Sequence, residues 1–291
     1  MKRFKSRRKH KLLKLILFII FMYVFFKITL NILDNEVDPS KYINYLVNEG
    51  LNYKVNNVDN ILNVSLLLDK NIKSDNKSFI SYVDKVNKRF NKSLIYIYNT
   101  HDSEEYKLDY SSEYSVIPNV KIASYVLQEY LKNNNIESYV ELNSIKKILD
   151  DNNWIYKDSY NASRILLEKN NTYEYYIDIH RDSSSYDMTT LNSDKVYAKI
   201  MFIVGLENES YEYNLKLSNE LSDMLNKKVN GISKGVLKKE GLGVNGVYNQ
   251  DFSHNLIVVE IGGVDNNILE VSNSIKVLAD VLSDYIGDDD I

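Results

Sequence analysis

Apolar positions are distributed along the chain in three different ways. Residues 12–33 form a long run whose centre, 15–26, is apolar without interruption. Residues 34–90 are charged and rich in Asn, with one short apolar run at 61–68. From about residue 92 short runs of Ile, Val, Tyr and Phe alternate with segments whose apolar residues recur every three or four positions. Runs of strand length at 94–98, 173–179, 198–204 and 256–261 predict strands. Helical spacing over 120–131, 159–168, 211–225 and 268–285 predicts the helices between them. Strands alternating with helices make this an α/β layer fold, a mainly parallel twisted sheet flanked by helices.

The first run is about long enough to cross a ~30 Å hydrocarbon core. Lys14 and Lys27 bracket its centre and can reach the headgroups. No small-residue cleavage site follows Phe26, which favours an uncleaved transmembrane helix over a signal peptide. Eight basic residues between Lys2 and Lys14, with no acid among them, keep that end in the cytoplasm and send the rest outside. The chain therefore divides into a basic cytoplasmic tail (1–11), a transmembrane anchor (12–33), a partly helical juxtamembrane region (34–90) and an extracytoplasmic domain (91–291). Setting those eight charges aside takes the formal −4 to −12 for residues 15–291. Such an acidic domain is unsuited to nucleic acid, whose affinity comes mostly from Lys and Arg.

Cysteine is absent, which excludes a disulfide framework, a Cys-ligated zinc finger and a thiol nucleophile. A metal site must then use His, Asp or Glu. Of the four histidines, His10 lies in the basic tail. Two others stand where strands stop: 94–98 leads into Asn99-Thr100-His101-Asp102-Ser103-Glu104, and 173–179 into His180-Arg181-Asp182. A third strand carries Glu260 before Ile261-Gly262-Gly263. Open α/β sheets bind ligands at the carboxyl edge of their parallel strands, so these residues can converge on one crevice. Glu104, three residues after His101, can join it on one ion, and His-Glu-His with an open fourth position is a common catalytic zinc arrangement. Glu260 is then left as general base and acid. By strand alternation Asp178 shares a face with His180 and can orient its imidazole. Arg181 can help hold an oxyanion, grip a substrate carboxylate, or pair with Asp182. His254 is read as a loop residue outside the metal set, and the 24 tyrosines as a compositional leaning. His and Glu ligands also accept other divalent ions.

At these residues the chain resembles the stage II sporulation protein P family, peptidoglycan amidases used in endospore-former engulfment. The likeness covers roughly residues 92–285 and rests on motifs in order. Tyr98-Asn99-Thr100-His101-Asp102-Ser103-Glu104-Glu105-Tyr106 is similar to Tyr-His-Thr-His-x-x-Glu-x-Tyr. Ser159-Tyr160-Asn161-Ala162-Ser163-Arg164 is similar to Ser-Tyr-x-x-Ser-Arg, and Asp178-Ile179-His180-Arg181-Asp182 to Asp-Leu-His-Arg-Asp. Tyr248-Asn249-Gln250-Asp251 and Val259-Glu260-Ile261-Gly262-Gly263 resemble the closing pair of motifs. The resemblance implies an N-acetylmuramoyl-L-alanine amidase-like fold, Zn2+ held by His101, Glu104 and His180, and Glu260 as catalytic acid/base. It also implies cleavage between N-acetylmuramic acid and L-alanine, with stem-peptide cross-links as a further target, at the sporulation septum and engulfing membrane. Implied partners are peptidoglycan, a SpoIID-like glycan-cleaving enzyme and a SpoIIM-like membrane protein. The first His of the family's His-Thr-His is Asn99 here; the ligand is assigned to the second, which stands in His-x-x-Glu spacing to Glu104. A catalytically weak wall-binding scaffold and a zinc carboxypeptidase are the competing readings.

Overall fold

The alternation read from residue 92 onward is realised in the computed structural model, which describes residues 42, 43, 45–47, 94–108 and 117–288. In chain order the strands and helices are β1 (Ile95–Tyr98), α1 (Val120–Asn133), β2 (Ser138–Val140), α2 (Ile145–Asp151), α3 (Ser159–Lys169), β3 (Tyr175–Asp182), α4 (Tyr186–Thr189), β4 (Thr190–Asn192), β5 (Val196–Ala198), β6 (Ile200–Gly205), α5 (Tyr211–Lys228), β7 (Ser233–Lys239), β8 (Leu256–Gly263) and α6 (Ile268–Asp288). Tyr156–Asp158 and Gln250–Phe252 are single 3-10 turns.

Six strands form one sheet in the order β2-β1-β3-β8-β6-β7. The first four are parallel. β6 runs antiparallel to β8 and parallel to β7, so a reversed pair closes one side of a mostly parallel sheet. The expected strand at 198–204 divides in two. β5 ends at Ala198, and Lys199 spends its N–H on Thr189 O and its carbonyl on Gly262 N before β6 begins.

β1, β3 and β8 are buried along nearly their whole length. Strands covered on both faces read as near-continuous apolar runs, which made these three visible in the sequence. Their register sets Tyr98 beside Asp178 and His180 beside Glu260. Alternation then gives Tyr96, Tyr98, Tyr176, Leu256 and Val258 the same sheet face as Asp178, His180 and Glu260. That face packs on Leu167 of α3 and on Tyr248 and Phe252. The opposite face packs against α1, α5 and α6. α1 starts where the Asn119 side chain accepts from Ile122 N, an N-cap that satisfies one orphan donor.

Two glycines after Glu260 have a steric reason. Gly262 sits at φ +66°, and a Cβ there would meet Ala198 Cβ at 2.8 Å; one on Gly263 would meet Ser184 O at 2.9 Å. Only glycine lets the chain leaving β8 pass this close to the loop leaving β3.

Residues 42, 43 and 45–47 belong to the same compact unit as the sheet and its helices. Ile43 and Leu46 are fully buried, Ser272 Oγ donates to Leu46 O (3.0 Å) and Tyr130 OH to Val47 O (3.2 Å). Part of the region read as juxtamembrane is thus docked on α1 and α6. The basic tail, the anchor at 12–33 and the rest of 34–90 lie outside the described residues. Among the described residues no helix is long and apolar enough to cross a membrane.

Candidate active site

The carboxyl ends of β1, β3 and β8 lie side by side, and each delivers what the sequence reading placed there. β1 runs out into a turn closed by Glu104 N donating to His101 O (3.0 Å). This turn brings Glu104 back over β3, where its Oε2 accepts from Arg181 N (3.0 Å) and lies 3.5 Å from His180 Nδ1. Glu260 stands opposite His180 in the β3–β8 register, with Met201 of β6 on its other side. The His101 and His180 rings meet edge to face with centroids 5.3 Å apart.

Asp178 lies beneath them, wholly buried. It accepts from Thr100 N (2.8 Å) and Thr100 Oγ1 (2.6 Å), and its Oδ2 lies 3.1 Å from His180 Nε2, close but not aligned for a hydrogen bond. Burial works against a charged His180, yet Asp178 and Glu104 outweigh it and hold the imidazole protonated, its pKa pushed up to about 10. Burial first, then the charge of His180, pushes His101 the other way, toward the neutral form. Burial and the charge of Asp182 both raise the Glu260 carboxyl. His101 Nδ1, His180 Nε2 and Glu260 Oε2 are buried without a hydrogen-bond partner.

These donors suit a divalent ion in type, and one pair of them in spacing. Two ligands of a tetrahedral zinc ion, each about 2.0–2.2 Å from it, stand about 3.3–3.6 Å apart, which is the Glu104–His180 separation. As the side chains stand, no trio of His, Asp and Glu among the described residues closes on one point. The His180 imidazolium is the cation between Asp178 and Glu104, so ligation there must displace a proton.

Three other residues take places that spacing did not show. The Arg181 guanidinium, aimed at substrate in the sequence reading, is committed to main-chain carbonyls: Nε donates to Glu105 O (2.7 Å) and Nη1 to Asp182 O (3.3 Å). It latches the His101–Glu104 turn onto β3. The cation on the far flank of Glu260 is Lys234 of β7, whose Nζ lies 2.6 Å from Asp182 Oδ2. Burial opposes the Asp182 charge, but Lys234 and Ser184 outweigh it and hold that carboxyl below the usual range. Asn99 faces away from the metal donors; its Nδ2 donates to Ile179 O (2.9 Å) and its Oδ1 accepts from Ser124 Oγ (3.1 Å). Asn99→Ala should therefore cost about 1–3 kcal/mol in urea unfolding, because Ile179 O loses this donor, while Ser124 Oγ keeps Val120 O at 3.0 Å.

The remaining motifs brace the site. Asn249, at φ +58°, donates from Nδ2 to Tyr160 O and Ser163 Oγ (2.9 and 3.0 Å). Arg164 Nη1 reaches both Asp251 oxygens at 2.9 Å. His254 lies before β8, away from its carboxyl end, and stacks on Tyr213 at 4.0 Å.

The family model described as Stage II sporulation protein P (SpoIIP) matches residues 37–283. Stage II sporulation protein P of Bacillus subtilis (strain 168) is 34% identical over 208 residues, 68% of this chain and 52% of that protein. The chain thus spans about half the length of the curated relative it matches. Among solved structures, Cwp6 from Clostridium difficile aligns with TM-score 0.41 and 12% identity over 69% of this chain and 30% of that one. The CwlD amidase from Clostridioides difficile, solved in complex with the GerS lipoprotein, aligns with TM-score 0.43 and 12% identity over 67% of this chain and 99% of that one.

Proposed function

This chain belongs to the stage II sporulation protein P family, and from that premise we propose that it is a membrane-anchored, zinc-dependent N-acetylmuramoyl-L-alanine amidase acting on sporulation peptidoglycan. One observation carries the reading: His180 and Glu260 are register neighbours at a sheet edge, and the turn after β1 lays His101 and Glu104 against them. Zinc at His101, Glu104 and His180 would polarise the scissile carbonyl and bring the pKa of a water toward ~7. Glu260, its carboxyl already raised, takes the proton of the attacking water and returns one to the leaving amine. Asp178, held by Thr100, keeps the His180 ring fixed. Residues 12–33 anchor the domain outside the membrane, and a SpoIID-like enzyme and a SpoIIM-like membrane protein are its partners there.

The test uses the full chain in detergent, incubated with muropeptides of known structure with and without chelator. Chelator-sensitive release of stem peptides bearing a free L-alanine amine is expected. Free D-alanine instead would make the protein a carboxypeptidase. Bound zinc with no product, even beside a glycan-cleaving partner, would make it a scaffold.

A further inference from the structure

The two ends of this site differ in chemistry. Along the sheet edge the order is His101, His180, Glu260, Lys234, following β1, β3, β8 and β7. At the His101 end the Tyr156 ring lies parallel to the imidazole, 15° between planes and 4.5 Å between centroids. One ring face is covered by His101, and the residue is nevertheless 62% exposed. Ile155 beside it is 60% exposed. Single exposed aromatics are ordinary. This one is held in a fixed place beside the proposed reaction centre. Its 3-10 turn is closed by Asp158 N donating to Ile155 O (2.8 Å), Ile155 N donating to Asp158 Oδ2 (3.0 Å) and Ser159 Oγ donating to Tyr156 O (2.7 Å). Behind the turn Trp154 packs against Ile145, Leu149, Ala162 and Leu166. Asp102 Oδ2 accepts from Ile145 N (2.9 Å), which ties that cluster to the His101 turn.

At the other end stand charges. Asp182 takes one donor of the Lys234 ammonium, which carries three. The substrate of the proposed reaction has the same asymmetry. On one side of the scissile amide is an uncharged pyranose with an apolar C–H face, and on the other a peptide bearing carboxylates. An aromatic face suits the first and an ammonium the second.

We propose that Tyr156 is the platform on which the substrate's sugar ring stacks, so that the scissile amide crosses the sheet edge with its sugar over the His101 side and its stem peptide toward Lys234. This rests on the amidase reading above. Tyrosine suits the role because a rigid ring on a braced turn loses little freedom on binding.

A matched pair of substrates tests it: a muramoyl peptide, and a lactoyl peptide with the same amide and no sugar. The full chain in detergent is assayed with each as the parent, Tyr156→Ala and Tyr156→Phe, with bound zinc measured for all three. Tyr156→Ala should raise KM for the muramoyl peptide about three- to tenfold. Its kcat should hold, and the lactoyl peptide should show no matching loss. Tyr156→Phe should restore the KM. Equal losses on both substrates, a loss that tracks zinc content, or no change in KM would each overturn the platform. A parent that releases no stem peptide from either substrate would overturn the amidase reading and this inference with it. A parent that cleaves both equally well would overturn the platform alone.

Discussion

Glu260→Gln is expected to cut stem-peptide release by about 10²- to 10⁴-fold, the usual contribution of a general acid–base group, while the metal-free chain melts at the parent's temperature or above it. The two effects have opposite signs for one reason. Glu260 Oε2 is buried with no partner, and burial together with the Asp182 charge raises its carboxyl. A carboxyl whose folded pKa lies above its unfolded one gives stability that is full below the unfolded pKa and is lost as pH rises through the folded one. Near neutrality its ionised form is a burden, and the amide removes it. The melting-temperature gap between variant and parent should widen as pH climbs from about 4 toward neutral, followed by circular dichroism. A variant that lost activity and stability together would mark Glu260 as a structural residue.

Much of this site was legible because the strands that carry it are buried on both faces. Leu256–Gly263 and Tyr175–Asp182 announce themselves as apolar runs, and a His or Glu interrupting such a run needs a reason. Strand–helix alternation then predicts a mainly parallel sheet. What stayed hidden was carried by elements with weak signals. β7, Ser-Lys-Gly-Val-Leu-Lys-Lys, is a half-exposed edge strand whose lysines read as loop, so Lys234 could not be brought to the site. β2 is three residues long, below what periodicity resolves. The reversal of β6 leaves no mark on its composition, since a strand reads alike in both directions. Arg181 shows the limit of reading by neighbourhood: it is adjacent to site residues in sequence, yet its guanidinium hydrogen-bonds to main chain around the site. Ser163, Asn249 and Gln250, to which the sequence assigned no role, brace Thr100 and β6.

Asp178 is where fold and chemistry can be separated by choice of substitution. Asp178→Ala should destabilise the chain by about 3–5 kcal/mol, the usual cost of removing one partner of a buried ionic pair. It strips the acceptor from Thr100 N and Thr100 Oγ1 and leaves the His180 imidazolium with Glu104 alone. Asp178→Asn keeps an acceptor for Thr100 N, and Thr100 Oγ1 still has Ser163 Oγ at 2.9 Å, so its stability cost should stay under about 2 kcal/mol. The amide carries no charge to hold a proton on His180 Nε2, 3.1 Å away, however. On the neutral ring the proton then favours Nδ1, the nitrogen that faces Glu104 and would have to be free for the proposed zinc. Zinc affinity measured by chelator competition should drop about 10- to 100-fold, the range for losing the partner that orients a ligand. Asp178→Asn that bound zinc as tightly as the parent would reduce Asp178 to a prop for Thr100. A large affinity loss at small stability cost would show that the carboxylate selects the His180 tautomer, which is how a buried acid with no contact to substrate can govern the reaction.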